Sequence, residues 1–397
     1  MPLSRRRFLA QSSLLTAAST LLPRTLRAQT GAPAGAPDAY VKPKPDITAP
    51  TPPVYPEGSG ISGPGRPYDP AAPLEFHRGA TGSAVKEGLL PPITPIWDLH
   101  LRDTVICLGG DGNYYLTGSS GADIWDHNDG VELWRSTDLR KWDYLGLVWD
   151  THKDGTWEKK PQDLHGKPVV TIWAPEIHYV KKNYFIVLSM APGGISMLKS
   201  TTGKPQGPYT HAFSPYAPIV NAIDPTLFED DDGKVYFTCS SATRIWLMKD
   251  DMSGFDGPPH PITLSDPDHT PSHHAARCIG RGANDLGTEG ATLCKANGRY
   301  YLGAADTYEG RYSTCTGISD TIFGPYHTRH EAVPCGGGTN FFQDKEKNWW
   351  CAFFGNDNQA PWREKPGLVC IDFDKEGKMM VNTKQPLLPG ERWNKQA

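Results

Sequence analysis

The sequence predicts an all-β fold, a five-bladed β-propeller with four-stranded antiparallel blades, and three observations lead there. The first is composition: among 397 residues there are 41 Gly and 37 Pro, while Asp, Glu, Lys and Arg supply only 21%. That mix excludes coiled coils and long-helix architectures, which need charged, glycine-poor sequence. The second is a unit that returns five times, a short apolar run, a polar or glycine turn and an aromatic-rich run. The third is that each unit is followed by another pair of apolar runs, which brings the count to four short strands per unit. A two-sheet sandwich does not account for the regular return of one unit.

Taken in chain order, the opening hairpins are DTVICLGGDGNYYLTGSS from Asp103, EIHYVKKNYFIVLSM from Glu176, DPTLFEDDDGKVYFTCSS from Asp224, EGATLCKANGRYYLGAA from Glu289 and TNFFQDKEKNWWCAFFG from Thr339. Their second strands are expected to begin at Asn113, Asn183, Lys234, Arg299 and Asn348, in steps of 70, 51, 65 and 49 residues. The outer pairs read VELWRSTDLRKWDYLG, ISMLKSTTGKPQGPY, IWLMKDDMSGFDGPP, TCTGISDTIFGPY and GLVCIDFDKEGKM. The propeller therefore spans about residues 95–390 and forms one large domain. Upstream, 15 prolines between Gly31 and Trp97 with little apolar periodicity predict an extended leader over 29–94.

Residues 1–28 resemble a twin-arginine signal peptide: Ser4-Arg5-Arg6-Arg7-Phe8-Leu9 precedes a modest apolar run through Leu22, with cleavage expected after Ala28. The run is too short and too rich in Ser and Thr to anchor the chain in a bilayer. The expected location is the bacterial periplasm or beyond, with no membrane anchor after cleavage. Removing the segment takes away five arginines and no acid, so the formal charge moves from -4 to -9. An acidic mature chain is a poor partner for nucleic acid or anionic membrane. A monomer acting on neutral or weakly charged substrates is expected.

Eight cysteines include no C-x-x-C pair, and six lie in apolar runs such as TVICL and GLVCI, which predicts buried strand thiols and no zinc site. Cys278 and Cys335 lie in glycine-rich loops where a disulfide could form after export. Neighbouring His273 and His274 fall in a long connection and carry no metal spacing. The acidic run Glu229–Asp232 reads as a solvated turn.

The chemistry is carried by carboxylates. In a propeller the innermost strand of each blade lines the central channel, so the ends of these strands converge on one mouth. In three units an acid stands 12 residues before an aromatic of the second strand: Asp103 to Tyr115, Asp224 to Tyr236, Glu289 to Tyr301. Equal offsets predict equal heights on three blades. Three carboxylates in one pocket raise the proton affinity of at least one, which suits acid–base work. Glycoside hydrolysis requires such a set, one carboxyl to protonate the leaving oxygen and one carboxylate to activate water or attack the sugar.

On these residues the chain resembles glycoside hydrolase family 43. The carrying segments are LRDTVICLGGDGNYYLTGS, WAPEIHYVKKNYF, IDPTLFEDDDGKVYF and EGATLCKANGRYYL, and the likeness covers about residues 95–385. The resemblance implies an inverting enzyme in which Asp103 is the general base, Asp224 orients the acid and adjusts its proton affinity, and Glu289 is the general acid. It implies oligosaccharide or polysaccharide substrates of plant or algal origin and an exo-acting α-L-arabinofuranosidase or β-xylosidase. Endo-arabinanases and galactan-cleaving enzymes share the fold and stay open, as does a non-catalytic carbohydrate-binding propeller. A retaining fructan hydrolase is disfavoured, because Thr288-Glu289-Gly290 lacks the Glu-Cys pair. Thr104 follows Asp103 where relatives carry proline. Relatives also hold a channel calcium with a blade-five histidine, whereas CGGGTNFF has Gly338 there, so no cofactor is required, no metal ligand is assigned and a structural calcium is left open; His330 reads as a surface loop residue. Trp173 and Glu176 of the WAPE segment and Arg311 of DTYEGRY are assigned to sugar binding, while Trp125 and Trp362 read as core.

Overall fold

Five hairpins built as the sequence predicts, each extended outward by two more strands, make up the computed structural model. The structure describes residues 87–383 except 92, 94, 98, 99, 121–127, 165, 266–285 and 357–359, all within the unit Lys42–Ala397. The signal peptide, most of the leader, Trp125, His273, His274 and Cys278 lie outside the described residues.

Blade one comprises β1 (Arg102–Leu108), β2 (Tyr114–Ser119), β3 (Gly130–Ser136) and β4 (Asp143–Asp150). A one-turn helix α1 (Thr151–Asp154), capped by the Asp150 carboxylate, and a small hairpin of β5 (Gln162–Leu164) and β6 (Lys167–Val169) lead to blade two. That blade holds β7 (Ile172–Val180), β8 (Asn183–Met190), β9 (Ile195–Ser200) and β10 (Tyr209–His211), and blade three holds β11 (Pro225–Glu229), β12 (Val235–Cys239), β13 (Arg244–Leu247) and β14 (His260–Pro261). Blade four is β15 (Glu289–Ala296), β16 (Arg299–Tyr308), β17 (Arg311–Ser319) and β18 (His327–Val333). Blade five is β19 (Gly337–Gln343), β20 (Trp349–Phe354), β21 (Pro366–Phe373) and β22 (Met379–Val381). Within each blade the strands pair antiparallel in sequence order, inner to outer.

Alternation along each strand sends successive side chains to opposite faces of a blade. Tyr114 thus packs with Phe342 and Trp350 toward blade five, while Tyr115 packs with Ile186 and Tyr184 toward blade two. Both faces of every blade are covered, so the strands read as apolar runs instead of alternating ones. The described core divides into five clusters, one at each interface between neighbouring blades. Trp362 belongs to the cluster between blades four and five, stacked on Phe353 at 5.8 Å with its indole N–H donated to Lys365 O.

The ring closes where β1 packs on β19, and the Asn340 side-chain oxygen accepts the Ile106 N–H at 2.9 Å. The stretch before β1 runs along the last blade: Ile96 and Leu101 donate their N–H groups to Pro366 O and Glu364 O.

Turn length differs between blades. In blades one, three and five the N–H groups of Gly109, Asp230 and Asp344 donate to the carbonyls of Asn113, Lys234 and Asn348, which leaves three-residue turns. Blades two and four close in two residues, Lys181-Lys182 and Asn297-Gly298, all at positive φ as a type I′ turn demands.

Candidate active site

At the mouth where the inner strands begin, four of the five blades break register: between Arg102 and Val105, Trp173 and Glu176, Glu289 and Thr292, and Gly337 and Asn340. At matching positions the backbone is left-handed, with φ of 50° at Asp103, 45° at Ala174, 53° at Asp224, 66° at Gly290 and 51° at Gly338. Such a conformation at a non-glycine residue costs ~1–3 kcal/mol and persists only where the surroundings enforce it. In blade one the bulge re-aims Asp103; Asp224, in the blade without a register break, takes the same left-handed turn directly before β11, and both carboxylates line the mouth.

This alignment corrects the equal-height expectation. Asp103 and Asp224 are equivalent, but their counterpart in blade four is Gly290, and Glu289 stands one place earlier, level with Arg102, Trp173 and Ile223. The cause is the turn: blade four closes with two residues where blades one and three use three, so the same 12-residue offset reaches one position further upstream. Glu289 lines the same pocket, as do its level-mates Arg102, Trp173 and Ile223.

The pocket encloses about 470 Å³ including its open mouth and is lined by Arg102, Asp103, Ser119, Trp173, Ile223, Asp224, Glu289, Gly290 and Tyr312. The Ser119 hydroxyl donates to Asp103 Oδ2 at 2.6 Å and accepts the Ala174 N–H at 2.8 Å, which ties blade one to blade two. Ser189, at the matching place in blade two, accepts the Asp224 N–H at 3.3 Å and donates to Trp173 O. Asp224 Oδ2 accepts the Gly290 N–H at 2.9 Å, so the acid of blade three holds the bulge that carries Glu289. Tyr312 donates its phenol proton to Glu289 Oε1 at 2.9 Å.

Burial pushes the Asp103 carboxyl above its ordinary range, opposed by the Arg102 guanidinium and the Ser119 hydrogen bond. Asp224 is pushed well above that range by burial and then by the charges of Glu289 and Asp103. Arg102 is itself buried, 4.5 Å above the Phe354 ring and 3.4 Å from the Glu364 carboxylate.

Trp173 lines the pocket. Glu176 does not share its height: the bulge lifts Trp173 to the mouth and leaves Glu176 deeper, buried and hydrogen-bonded to His178 Nε2 at 2.8 Å. Arg311 is outside the lining, its guanidinium bound to both Glu331 oxygens at 2.7 and 2.5 Å and to Glu309 at 3.2 Å. Its neighbour Tyr312 takes the inward place, a consequence of alternation along β17. Tyr312, Arg102 and Ser119 are the polar side chains of the lining that sequence reasoning passed over. Tyr312 lay within the DTYEGRY motif, and Arg102 stood beside an acid already singled out.

His330 is buried in β18 between the Thr316 hydroxyl and Thr328 O, not on a surface loop as the sequence suggested, because β18 packs against β22 of the next blade. The residues present do not fit a channel calcium bound through position 338. A β-carbon there would lie 2.6 Å from Asp103 Oδ1 and 2.9 Å from its Cα, so no ligating side chain is accommodated. Among the described residues no three His, Cys, Asp or Glu side chains gather as a cation site. Cys335 is buried, and its suggested partner Cys278 is outside the described residues.

Fold and pocket define a class, a five-bladed propeller with half-buried carboxylates around one mouth, two of them on strained backbone. The model of glycosyl hydrolases family 43 matches residues 93–379. The chain belongs to that family. Its similarity to xylosidase/arabinosidase 43B of Humicola insolens is 27% identity over 61% of this chain and 41% of that one. It is 22% identical to the extracellular exo-α-(1→5)-L-arabinofuranosidase ArbA of Cellvibrio japonicus over 75% of this chain and 85% of that one. The chain therefore spans about two fifths of the first relative and most of the second. A thermostable family-43 glycoside hydrolase superposes with a TM-score of 0.54 at 18% identity, over 74% of this chain and 96% of the other, which shows the shared propeller.

Proposed function

We propose that the protein is an exported, inverting glycosidase that removes a terminal pentose, α-L-arabinofuranose or β-xylose, from plant or algal polysaccharide. The observation that carries this is the convergence of Asp103, Asp224 and Glu289 on one pocket, two of them on strained backbone. In the reaction Glu289 gives its proton to the glycosidic oxygen as the bond from that oxygen to the anomeric carbon breaks. Water attacks the same carbon from the opposite face and loses a proton to Asp103. Arg102 and Ser119 favour the ionised form of Asp103 that this step needs. Asp224 sets the Glu289 backbone through Gly290, and its own carboxyl holds a proton more tightly than usual. Trp173 offers a ring face to the sugar. The names of the two relatives support the pentose, and one of them names an exo-acting enzyme.

Release of arabinose or xylose from a panel of aryl glycosides and oligosaccharides tests the reading. Glu289→Gln and Asp103→Asn are each expected to lower turnover by ~10²–10⁴-fold. Inert wild type that still binds oligosaccharides would make the protein a binding module. Retention in the first-formed anomer, read by NMR, would overturn inversion.

The twin-arginine export of residues 1–28 draws support from the thiols. Cys239, Cys294, Cys351 and Cys370 are buried in the blades. A chain of this kind avoids wrong disulfides by folding in a reducing compartment before it crosses.

A further inference from the structure

The β16–β17 hairpin overhangs the mouth of blade four: pairing continues without a break from Tyr300 opposite Ser319 to Tyr308 opposite Arg311, and Glu309-Gly310 turns the chain at positive φ. Tyr312 is the second residue of the returning strand. Its ring is seated on blade five, where a β-carbon on Gly337 would lie 1.9 Å from Tyr312 Cε1 and 2.6 Å from Cζ. Only glycine at 337 admits the ring. The ring also tilts against Phe354, centroids 6.0 Å apart at 48°. So held, the phenol meets Glu289 Oε1 at 2.9 Å.

We propose that Tyr312 is a positioning residue for the general acid: its phenol donates to Oε1 of Glu289 and thereby confines the carboxyl proton to Oε2, the oxygen left to face the leaving group. The inference rests on the reading of Glu289 as the acid. Burial and the charge of Glu289 hold the phenol proton well above its ordinary range, so the donor persists at every working pH. A carboxyl without that bond divides its proton between two oxygens and rotamers, and protonation of a poor leaving group suffers first.

The experiment is a leaving-group series, from dinitrophenyl through phenyl to methyl or sugar aglycones, with Tyr312→Phe, Gly337→Ala and Glu289→Gln. Loss in Tyr312→Phe is expected to grow from near none with dinitrophenyl to ~10–10²-fold with sugar aglycones, the size of one hydrogen bond to the carboxylate that develops as the proton leaves. Gly337→Ala, which keeps the phenol but displaces its ring, is expected to show the same slope. Equal loss across the series in both variants, or no loss in either, overturns the proposal. If Glu289→Gln itself shows no leaving-group dependence, the assignment of the acid fails; if only Glu289→Gln shows it, the assignment stands and the role of Tyr312 falls. Thermal melts of each variant separate misfolding from the effect sought.

Discussion

Asp224 carries a cost that its proposed role explains. Its carboxyl binds a proton more tightly in the folded protein than in the unfolded chain, through burial and the neighbouring carboxylates. The folded state is therefore favoured at pH below the ordinary carboxylate range, and this advantage is lost as pH rises through the elevated value. At pH 7, above the ordinary carboxylate range, this tighter proton binding in the folded state subtracts from stability. Asp224→Asn keeps an oxygen for the Gly290 N–H and removes the charge. It is expected to lower turnover by ~10²-fold or more and to raise Tm at pH 7 by ~2–4 °C. The gain should shrink toward pH 4, and a melt that shows an equal gain, or a loss, at both pH values would contradict the account. Gly338 is the complementary case: a side chain there would push into Asp103. The glycine run of CGGGTNFF thus makes room for a carboxylate at 338 and for a phenol at 337, where family likeness led attention to a missing histidine.

Elements explain why the site was only partly legible. The strand starts read from aromatic-rich runs coincide with β8 at Asn183 and β16 at Arg299 and fall one residue early elsewhere, because alternation and turn residues are local signals. The height of Glu289 was misjudged by one residue, since Asn297-Gly298 closes in two residues what Gly110–Gly112 closes in three. Arg311 and Tyr312 are neighbours, and which one faces the pocket is set by the register of β16 and β17. The same hairpin is anchored by a buried pair, Arg329 to Asp306 at 2.6 Å, with Arg329 also donating to Leu286 O and Asp306 accepting from Thr288. These contacts brace the segment directly before Glu289. Arg329→Met leaves the Asp306 charge buried without this partner and is expected to cost ~3–5 kcal/mol. Urea denaturation measures it, and a double variant with Asp306→Asn should recover much of the loss.

In the whole molecule each blade is covered on both faces by its neighbours, and the pocket exists only because five inner strands begin around one opening. No helix among the described residues is long and apolar enough to cross a membrane. The export proposal is tested with the full chain: replacing Arg5 and Arg6 together by lysine, or using a bacterial host without the twin-arginine translocase, should hold active enzyme in the cytoplasm. Undiminished export in both would sink it. Repeats, turn residues and the position of acids at strand starts are written along the chain, so the propeller and the identities of Asp103, Asp224 and Glu289 could be read from sequence. The depth of Glu176, the turning away of Arg311 and the arrival of Arg102 and Tyr312 depend on bulges, turn lengths and packing between blades far apart in sequence, and those are settled only when the ring closes.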